Sequence, residues 1–340
     1  MRKAVCHPGY VRLWHPDFLD GYESTDLLLP DATPAAGEPA DVELVATLIR
    51  RAPAERHRRA VLYVHGWNDY FFQTHLADHL TDIGFDFYAI DLRRYGRSLR
   101  RGHLHGFITD LDDYAAELTA AVEVIGESHD QLVLMGHSTG GLIISLWAGK
   151  NPGRIDGLIL NAPWLDFQGL AMIRTLGSPV IDALGSSLPT SVLKLPDSGL
   201  TARTLHISQG GEWDYDLDLK RTPSAPIRVG WLRAILFGHQ RVAAGLHIDV
   251  PILVLASSTS ELARRWHDGL RTVDTVLDVE KITRRATQLG RCVTIVRIDE
   301  AVHDVILSAP SVRKIAMDEI SRWIDGYVQH AHEGVTGPSR

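Results

Sequence analysis

Ser138 stands in Gly136-His137-Ser138-Thr139-Gly140-Gly141, a serine with glycine two residues before it and two residues after it. The apolar run 131–135 ahead of it reads as a strand and 142–148 behind it as a helix, so the serine falls on a strand-to-helix turn. A turn this sharp, the nucleophile elbow, strains the backbone at the serine and needs neighbours without Cβ atoms, which would collide with the adjoining strand and helix. It lifts the hydroxyl clear of the sheet and sets it at a helix start, where unpaired N–H groups and the helix dipole favour a developing negative charge. The chemistry to expect is attack by the serine oxygen.

A neutral hydroxyl is a poor nucleophile, so it needs a base, and the base needs an acid to orient it. On an elbow of this kind the chain order is nucleophile, acid, histidine. Of the 17 histidines, His303 lies just after the last strand of the pattern, in Asp299-Glu300-Ala301-Val302-His303-Asp304. His247 and His267 flank the penultimate strand and read as surface residues, while His65 and His137 sit on strand-end turns in positioning roles. The acid should follow the strand 251–256, in a long loop that holds Asp268, Asp274 and Asp278. Asp274 is the first choice. Asp278 is second, because it also suits a helix N-cap, and Asp166, after the strand at 155–161, is third. Two preorganised donors are needed for the oxyanion, and the Thr139 and Trp67 backbone N–H groups are the candidates. His103, His105 and Asp110 offer a metal-like pairing without a third ligand at strong spacing, so they read as a surface loop. No cofactor and no metal is expected.

The elements that must hold these residues follow from periodicity. Apolar runs at 60–64, 85–90, 131–135, 155–161, 251–256 and 292–298 read as strands, and 41–50 as a strand with one exposed face. Helical patterns lie between them at 74–83, 110–125, 142–148 and 279–289, with a last amphipathic helix from 311 to 330. Alternation of this kind means crossover connections, hence an α/β fold with a mostly parallel sheet and helices on both faces. The alternation stops between 165 and 247, where apolar helical pieces and scattered aromatics form an insertion beyond the carboxyl ends of the strands, read as a helical cap. The expected organisation is an irregular lead-in over 1–40, a first core part over 41–164, the cap over 165–247, a second core part over 248–330 and a disordered tail over 331–340.

Composition bounds the partners. The 340 residues are 45% hydrophobic and 23% charged, with a formal net charge of −7, the balance of an ordinary globular chain. An acidic chain does not release counterions from phosphate, so nucleic-acid binding is not expected. The short basic clusters Arg56-His57-Arg58-Arg59 and Arg93-Arg94 read as solvated loops. The two cysteines, Cys6 and Cys292, are far apart and suit a reducing cytoplasm, where the protein is expected. Pro8 and Gly9 interrupt any signal-peptide core, and no run reaches the about 18 apolar residues of a membrane span.

Taken together, His65-Gly66-Trp67, the loop Asp91-Leu92-Arg93-Arg94-Tyr95-Gly96-Arg97-Ser98, the elbow, Asp274-Thr275-Val276-Leu277-Asp278 and His303 resemble the α/β-hydrolase family, in its branch of monoacylglycerol lipases, lysophospholipases and serine-aminopeptidase-like hydrolases. The resemblance covers about 41–327 and implies Ser138 as nucleophile, Asp274 as acid, His303 as base, and the Trp67 and Thr139 N–H groups as oxyanion hole. Arg94 and Tyr95 depart from the family's loop, where a glycine and a small residue or histidine are usual, a change expected to affect only a structural loop. The acid loop is longer than usual by Glu261-Leu262-Ala263-Arg264-Arg265-Trp266. The implied activity is hydrolysis of a carboxylic ester with an apolar, lipid-like acyl group, helped by Trp67, Tyr70, Phe71 and Phe72 beside the oxyanion turn. Amide, thioester or lactone hydrolysis on the same fold, and a non-catalytic binding protein, are the alternatives, since one fold serves many reactions.

Overall fold

The computed structural model of the chain describes residues 12–52, 57–167, 178–194 and 199–328. Cys6, Arg56 and the tail at 331–340 lie outside the described residues, and Cys292 carries no disulfide.

Nine strands form one sheet: β1 (His15–Pro16), β2 (Tyr22–Leu28), β3 (Val45–Arg51), β4 (Arg59–Val64), β5 (Asp86–Asp91), β6 (Gln131–His137), β7 (Gly157–Asn161), β8 (Ile252–Ser257) and β9 (Val293–Ile298). Their spatial order is β1-β2-β3-β5-β4-β6-β7-β8-β9. The strands from β5 across to β9 run parallel, and β1, β2 and β3 extend the sheet antiparallel beyond β5. The continuous apolar runs are buried for the reason expected: β4 and β6 sit mid-sheet with both faces covered, and every residue of β6 is buried. Helices α1 (Thr74–Asp82), α2 (Ala115–Gly126), α3 (Thr139–Lys150), α7 (Val279–Ala286) and α8 (Pro310–Trp323) return the chain between or after strands. One apolar cluster on each face, with Leu62, Leu134 and Leu160 in one and Val61, Val133 and Ile159 in the other, shows the period-2 alternation dividing neighbouring residues between two cores.

Chain order and spatial order part at one place. After β4 the chain moves outward to β5 and then returns to lay β6 on β4's other side. The crevice at the carboxyl ends of β4 and β6 is therefore the switch point at which open α/β sheets bind ligands. The turn after β4 and the elbow after β6 face each other there.

Between β7 and β8 the described chain forms α4 (Ser178–Ser187), α5 (Leu200–Leu205) and α6 (Val229–Ala244) and contributes no strand to the sheet. The expectation of an irregular lead-in over 1–40 fails at β2, which pairs with β3 along its whole length from Tyr22 opposite Arg51 to Leu28 opposite Val45. Its polar centre hid it from a hydropathy reading: Glu23 pairs with Arg50 and Asp26 accepts from the Thr47 hydroxyl, so cross-strand polar contacts replace apolar ones.

The expectation of a solvated Arg93-Arg94 loop also fails. Arg93 bonds the buried Glu117 at 2.8 Å, and Arg94 grips Glu38 with two nitrogens at 2.7 Å each. Nearby Arg97 bridges Asp17 and Asp91. Each guanidinium is buried only because a carboxylate compensates the lost hydration. Arg58 remains exposed, as expected, paired with Asp130. His105 is buried rather than on a surface loop, against the rings of Trp67 and Tyr95, while Asp110 is exposed and accepts from the Asp112 N–H.

Candidate active site

The elbow is built from backbone packed directly on backbone. Ser138 has φ +51° and ψ −115°, a left-handed conformation that a side chain rarely adopts. A Cβ on Gly140 would lie 2.3 Å from the His65 carbonyl oxygen and 2.5 Å from that of Val64. One on Gly136 would lie 2.8 Å from the Gly141 nitrogen and 2.6 Å from Ile144. The glycines thus let α3 and the turn after β4 close on the strand that carries the serine.

Three side chains from separate loops meet at this point. His303 Nε2 lies 3.1 Å from Ser138 Oγ, and its Nδ1 lies 2.9 Å from Asp274 Oδ2. Asp274 is fully buried. Its Oδ2 can only accept in its ionised form, so Nδ1 carries the proton and Nε2 is left to accept from the serine hydroxyl. The other carboxylate oxygen of Asp274 accepts from the Val276 N–H at 2.7 Å and the Leu277 N–H at 2.8 Å, which fixes the side chain from behind. The extra residues of the acid loop leave this geometry undisturbed. Asp274 donates its N–H to the Thr259 carbonyl at 3.0 Å and accepts from the Glu261 N–H at 2.9 Å, closing the neck of the loop so that Leu262 and its neighbours project outward.

The two other acids are elsewhere. Asp278 caps α7 by accepting from the Lys281 N–H at 3.2 Å. Asp166 is bound at 2.7 Å by Arg285 on the same helix.

Across the crevice, His65 shapes the turn after β4. Its Nδ1–H donates to the Gly66 carbonyl at 2.8 Å and its Nε2 accepts from the Leu92 N–H at 3.0 Å, locking one tautomer and tying the turn to the end of β5. Among the described residues, neither the Trp67 nor the Thr139 backbone N–H is committed to an acceptor. Tyr95 packs its ring on His65 with centroids 4.9 Å apart and on Trp67 at 5.9 Å. The departure at Tyr95 therefore reaches the turn after β4, beyond its own loop.

Asn161, Asp69, Asp304 and Lys220 are polar residues around the site that the sequence pattern did not single out. Asn161, at the end of β7, accepts the Ser138 N–H on its carbonyl at 3.0 Å. Its side chain donates to Asp304 at 2.6 Å and accepts from the Val305 N–H at 3.1 Å. One residue thereby joins the elbow to the loop that carries His303. A polar residue ending a buried apolar strand was the available signal. His137 donates Nδ1–H to the same carbonyl, and its ring lies 4.9 Å from that of His303. Burial holds the His137 pKa below the ordinary imidazole value, against the pull of the Asp304 charge. Asp69, His137 and Asp304 bring three ligand-type atoms within 4.8 Å of one another, the one group among the described residues with that capacity. Lys220 already supplies a positive charge there, 2.7 Å from Asp69.

A pocket opens above Ser138 and His303. The sheet side contributes Trp67, Val276 and Val302, and the segment between β7 and β8 contributes Leu205, Tyr215 and Lys220.

The sequence over residues 55–309 matches the family model for serine aminopeptidase, S33. The chain belongs to the serine aminopeptidase S33 family. It is 21% identical over 273 residues to the monoacylglycerol lipase of Mycolicibacterium smegmatis, covering 78% of this chain and 88% of that protein. It is 25% identical over 309 residues to lysophospholipase L2 of Escherichia coli, covering 82% and 83%. The crystal structure of the Paleococcus ferrophilus monoacylglycerol lipase superposes with a TM-score of 0.62 at 19% identity, over 84% of this chain and 99% of that one, a likeness of fold. This S33 member is a lipase-like hydrolase with the α/β-hydrolase fold. Among its described residues no helix is long and apolar enough to cross a membrane.

Proposed function

We propose that the protein is a serine esterase that cleaves lipid-like carboxylic esters of the monoacylglycerol or lysophospholipid type through an acyl-enzyme. The observation that carries this reading is the continuous hydrogen-bonded path from Ser138 Oγ through His303 to Asp274. In the first half-reaction His303 Nε2 takes the Ser138 proton as Oγ attacks the ester carbonyl, and the Trp67 and Thr139 N–H groups stabilise the oxyanion. Asp274 holds the imidazolium that forms. His303 then gives the proton to the departing alcohol, and in the second half it activates the water that releases the acid. The reaction needs neither cofactor nor metal.

Substrate class is supported by the pocket and by the segment 165–247, which acts in this reading as a cap. Leu184, Leu188, Val192, Ile207, Leu217 and Phe237 on it are all exposed, side chains that could meet an apolar substrate. The relatives' names point the same way. The family model's description raises aminopeptidase activity as the second reading, and the electrostatics disfavour it. A free amino terminus needs an accessible, uncompensated carboxylate, whereas Asp69 in the pocket is neutralised by Lys220 and Asp304 is buried with one oxygen accepting from Asn161. The cytoplasm is the proposed compartment.

Hydrolysis of a p-nitrophenyl ester series of increasing chain length, run beside aminoacyl anilides, tests the assignment. Esters are expected to turn over with a preference for longer acyl chains. Turnover confined to anilides would overturn it.

A further inference from the structure

Every residue of the turn Trp67-Asn68-Asp69-Tyr70 is bonded to one short stretch of the segment between β7 and β8. The Trp67 indole N–H donates to Ser224 Oγ at 3.2 Å. Asn68 donates to the Arg221 carbonyl at 2.8 Å and accepts from the Ala225 N–H at 3.1 Å. Lys220 Nζ lies 2.7 Å from Asp69 Oδ1, and the Tyr70 hydroxyl accepts from the Asp216 N–H at 2.8 Å. The Trp67 ring is also covered by Trp231 of α6, with centroids 4.1 Å apart. The turn needs such holding, because Asn68 sits at φ +52°, a backbone conformation that costs on the order of 1 kcal/mol or more for a residue with a side chain.

Of these contacts the ion pair is the most heavily committed. Lys220 is 12% exposed and Asp69 2% exposed in their side chains, and the ammonium also lies over the rings of Phe72 and Tyr215. Burial pushes the Asp69 pKa up, and the charge of Lys220, aided by other groups, brings it below the ordinary carboxylate value. Asp69 Oδ2 finds no hydrogen-bond partner, so the lysine is the cation directly bonded to that carboxylate. Without it, a buried charge would stand unpaired two residues from the Trp67 N–H and close to Asp304, a second buried carboxylate.

We propose that residues 216–225 are a strap that sets the oxyanion turn, and that Lys220 is its principal positioning residue, acting through Asp69. Seating of the 165–247 segment over the pocket and alignment of the Trp67 N–H are then one event. Lys220 stabilises the transition state without touching it. The inference rests on the esterase reading for its kinetic consequence and on the geometry alone for its structural one, so two measurements are made on the full chain.

The first is hydrogen exchange of the peptide spanning 65–73 in the wild type and in Lys220→Met. Exchange is expected to quicken about tenfold or more there, with α2 and α8 unchanged, since a local opening changes only its own region. Unchanged exchange at 65–73 would overturn the strap whatever the protein's activity. The second is ester kinetics. In Lys220→Met, kcat should fall roughly 10–100-fold, the scale of a displaced catalytic group, with KM within about threefold of wild type. Asp69→Asn should behave similarly, the double variant should lose little more than either single one, and added methylammonium should partly restore Lys220→Ala. A raised KM at unchanged kcat would mean that Lys220 binds substrate, and additive losses would mean that the two residues act separately. Either result overturns the proposal. Absence of ester turnover in the wild type would count against the esterase reading alone, with the exchange measurement still deciding on the strap.

Discussion

The two walls of the pocket are built differently. On the sheet side, backbone meets backbone at the elbow, α3 is buried from Thr139 to Ala148, and the Asp274, His303 and Asn161 side chains each make two or more hydrogen bonds. On the other side, the segment between β7 and β8 keeps several exposed apolar residues and reaches the turn after β4 through hydrogen bonds, one ion pair and one tryptophan pair. The difference assigns the tasks. The close-packed wall has little freedom and can hold the reacting atoms. The tethered wall has more room to be adjusted, and the proposed function places substrate choice there. Substitutions should accordingly act as all-or-none on one side and as graded changes on the other.

Asp274→Asn probes the sheet side most sharply. It should lower kcat about 10⁴-fold, because an asparagine amide facing Nδ1 favours the wrong imidazole tautomer. Asp278→Asn and Asp166→Asn, assayed beside it, should each stay within about tenfold of wild type, since an asparagine still caps the helix at 278 and only a partly exposed ion pair is lost at 166. A larger loss at Asp278 or Asp166 than at Asp274 would break the assignment. Next in size is Gly140→Ala, whose methyl would press on the carbonyls of Val64 and His65. It should cost about 3 kcal/mol or more in denaturant unfolding, with activity lost in parallel. Tolerance there would mean that the sheet wall is no more rigid than its partner.

The tethered side should answer more mildly. Ser224→Ala removes the acceptor of the Trp67 indole and should reduce kcat/KM by about 1 kcal/mol, some fivefold, with the fold intact. Complete loss of activity would erase the distinction between the walls. The smallest effect is at His105, beneath Trp67, whose two ring nitrogens find no partner among the described residues. Burial, reinforced by the charge of Arg221, pushes its pKa from 6.5 to about 4. The folded protein then refuses a proton that the unfolded chain accepts, so stability is level above pH 6.5 and declines as pH falls from there towards about 4. His239, also lowered to about 4 by burial, contributes the same slope. His105→Leu should therefore flatten, without abolishing, the fall in Tm between these limits, and should leave Tm at pH 8 equal or slightly higher. An unchanged acid slope would contradict this.

How much of this was legible in the chain depends on the distance over which each signal acts. Ser138 announced itself through glycines two residues away, and His303 through its place after the last apolar strand. The choice among Asp274, Asp278 and Asp166 could not be closed by position, because each follows a strand, and only Asp278 offered a second role, as a helix cap. Packing separates them, by giving Asp278 to a helix end and Asp166 to Arg285. The parallel sheet was readable because strands buried on both faces are continuous apolar runs, whereas β2 was missed because its contacts with β3 are polar. Arg93 and Arg94 read as solvent-facing for a similar reason: a buried guanidinium differs from an exposed one only in its partner, and Glu117 and Glu38 lie 24 and 56 residues away in the chain. The Lys220–Asp69 pair spans 151 residues and follows no periodicity at either end. No local pattern reports such a contact.

The central claim is that Ser138 becomes acylated by an ester through His303. It is tested most directly by mixing the protein with a long-chain p-nitrophenyl ester, quenching in acid within the first turnovers, and measuring intact mass followed by peptide mapping. The account predicts a mass increase of one acyl group on the peptide carrying Ser138, with a burst of p-nitrophenol of matching amplitude, and neither in Ser138→Ala. Steady ester hydrolysis that persists in Ser138→Ala, or an acyl group found on another residue, would contradict it.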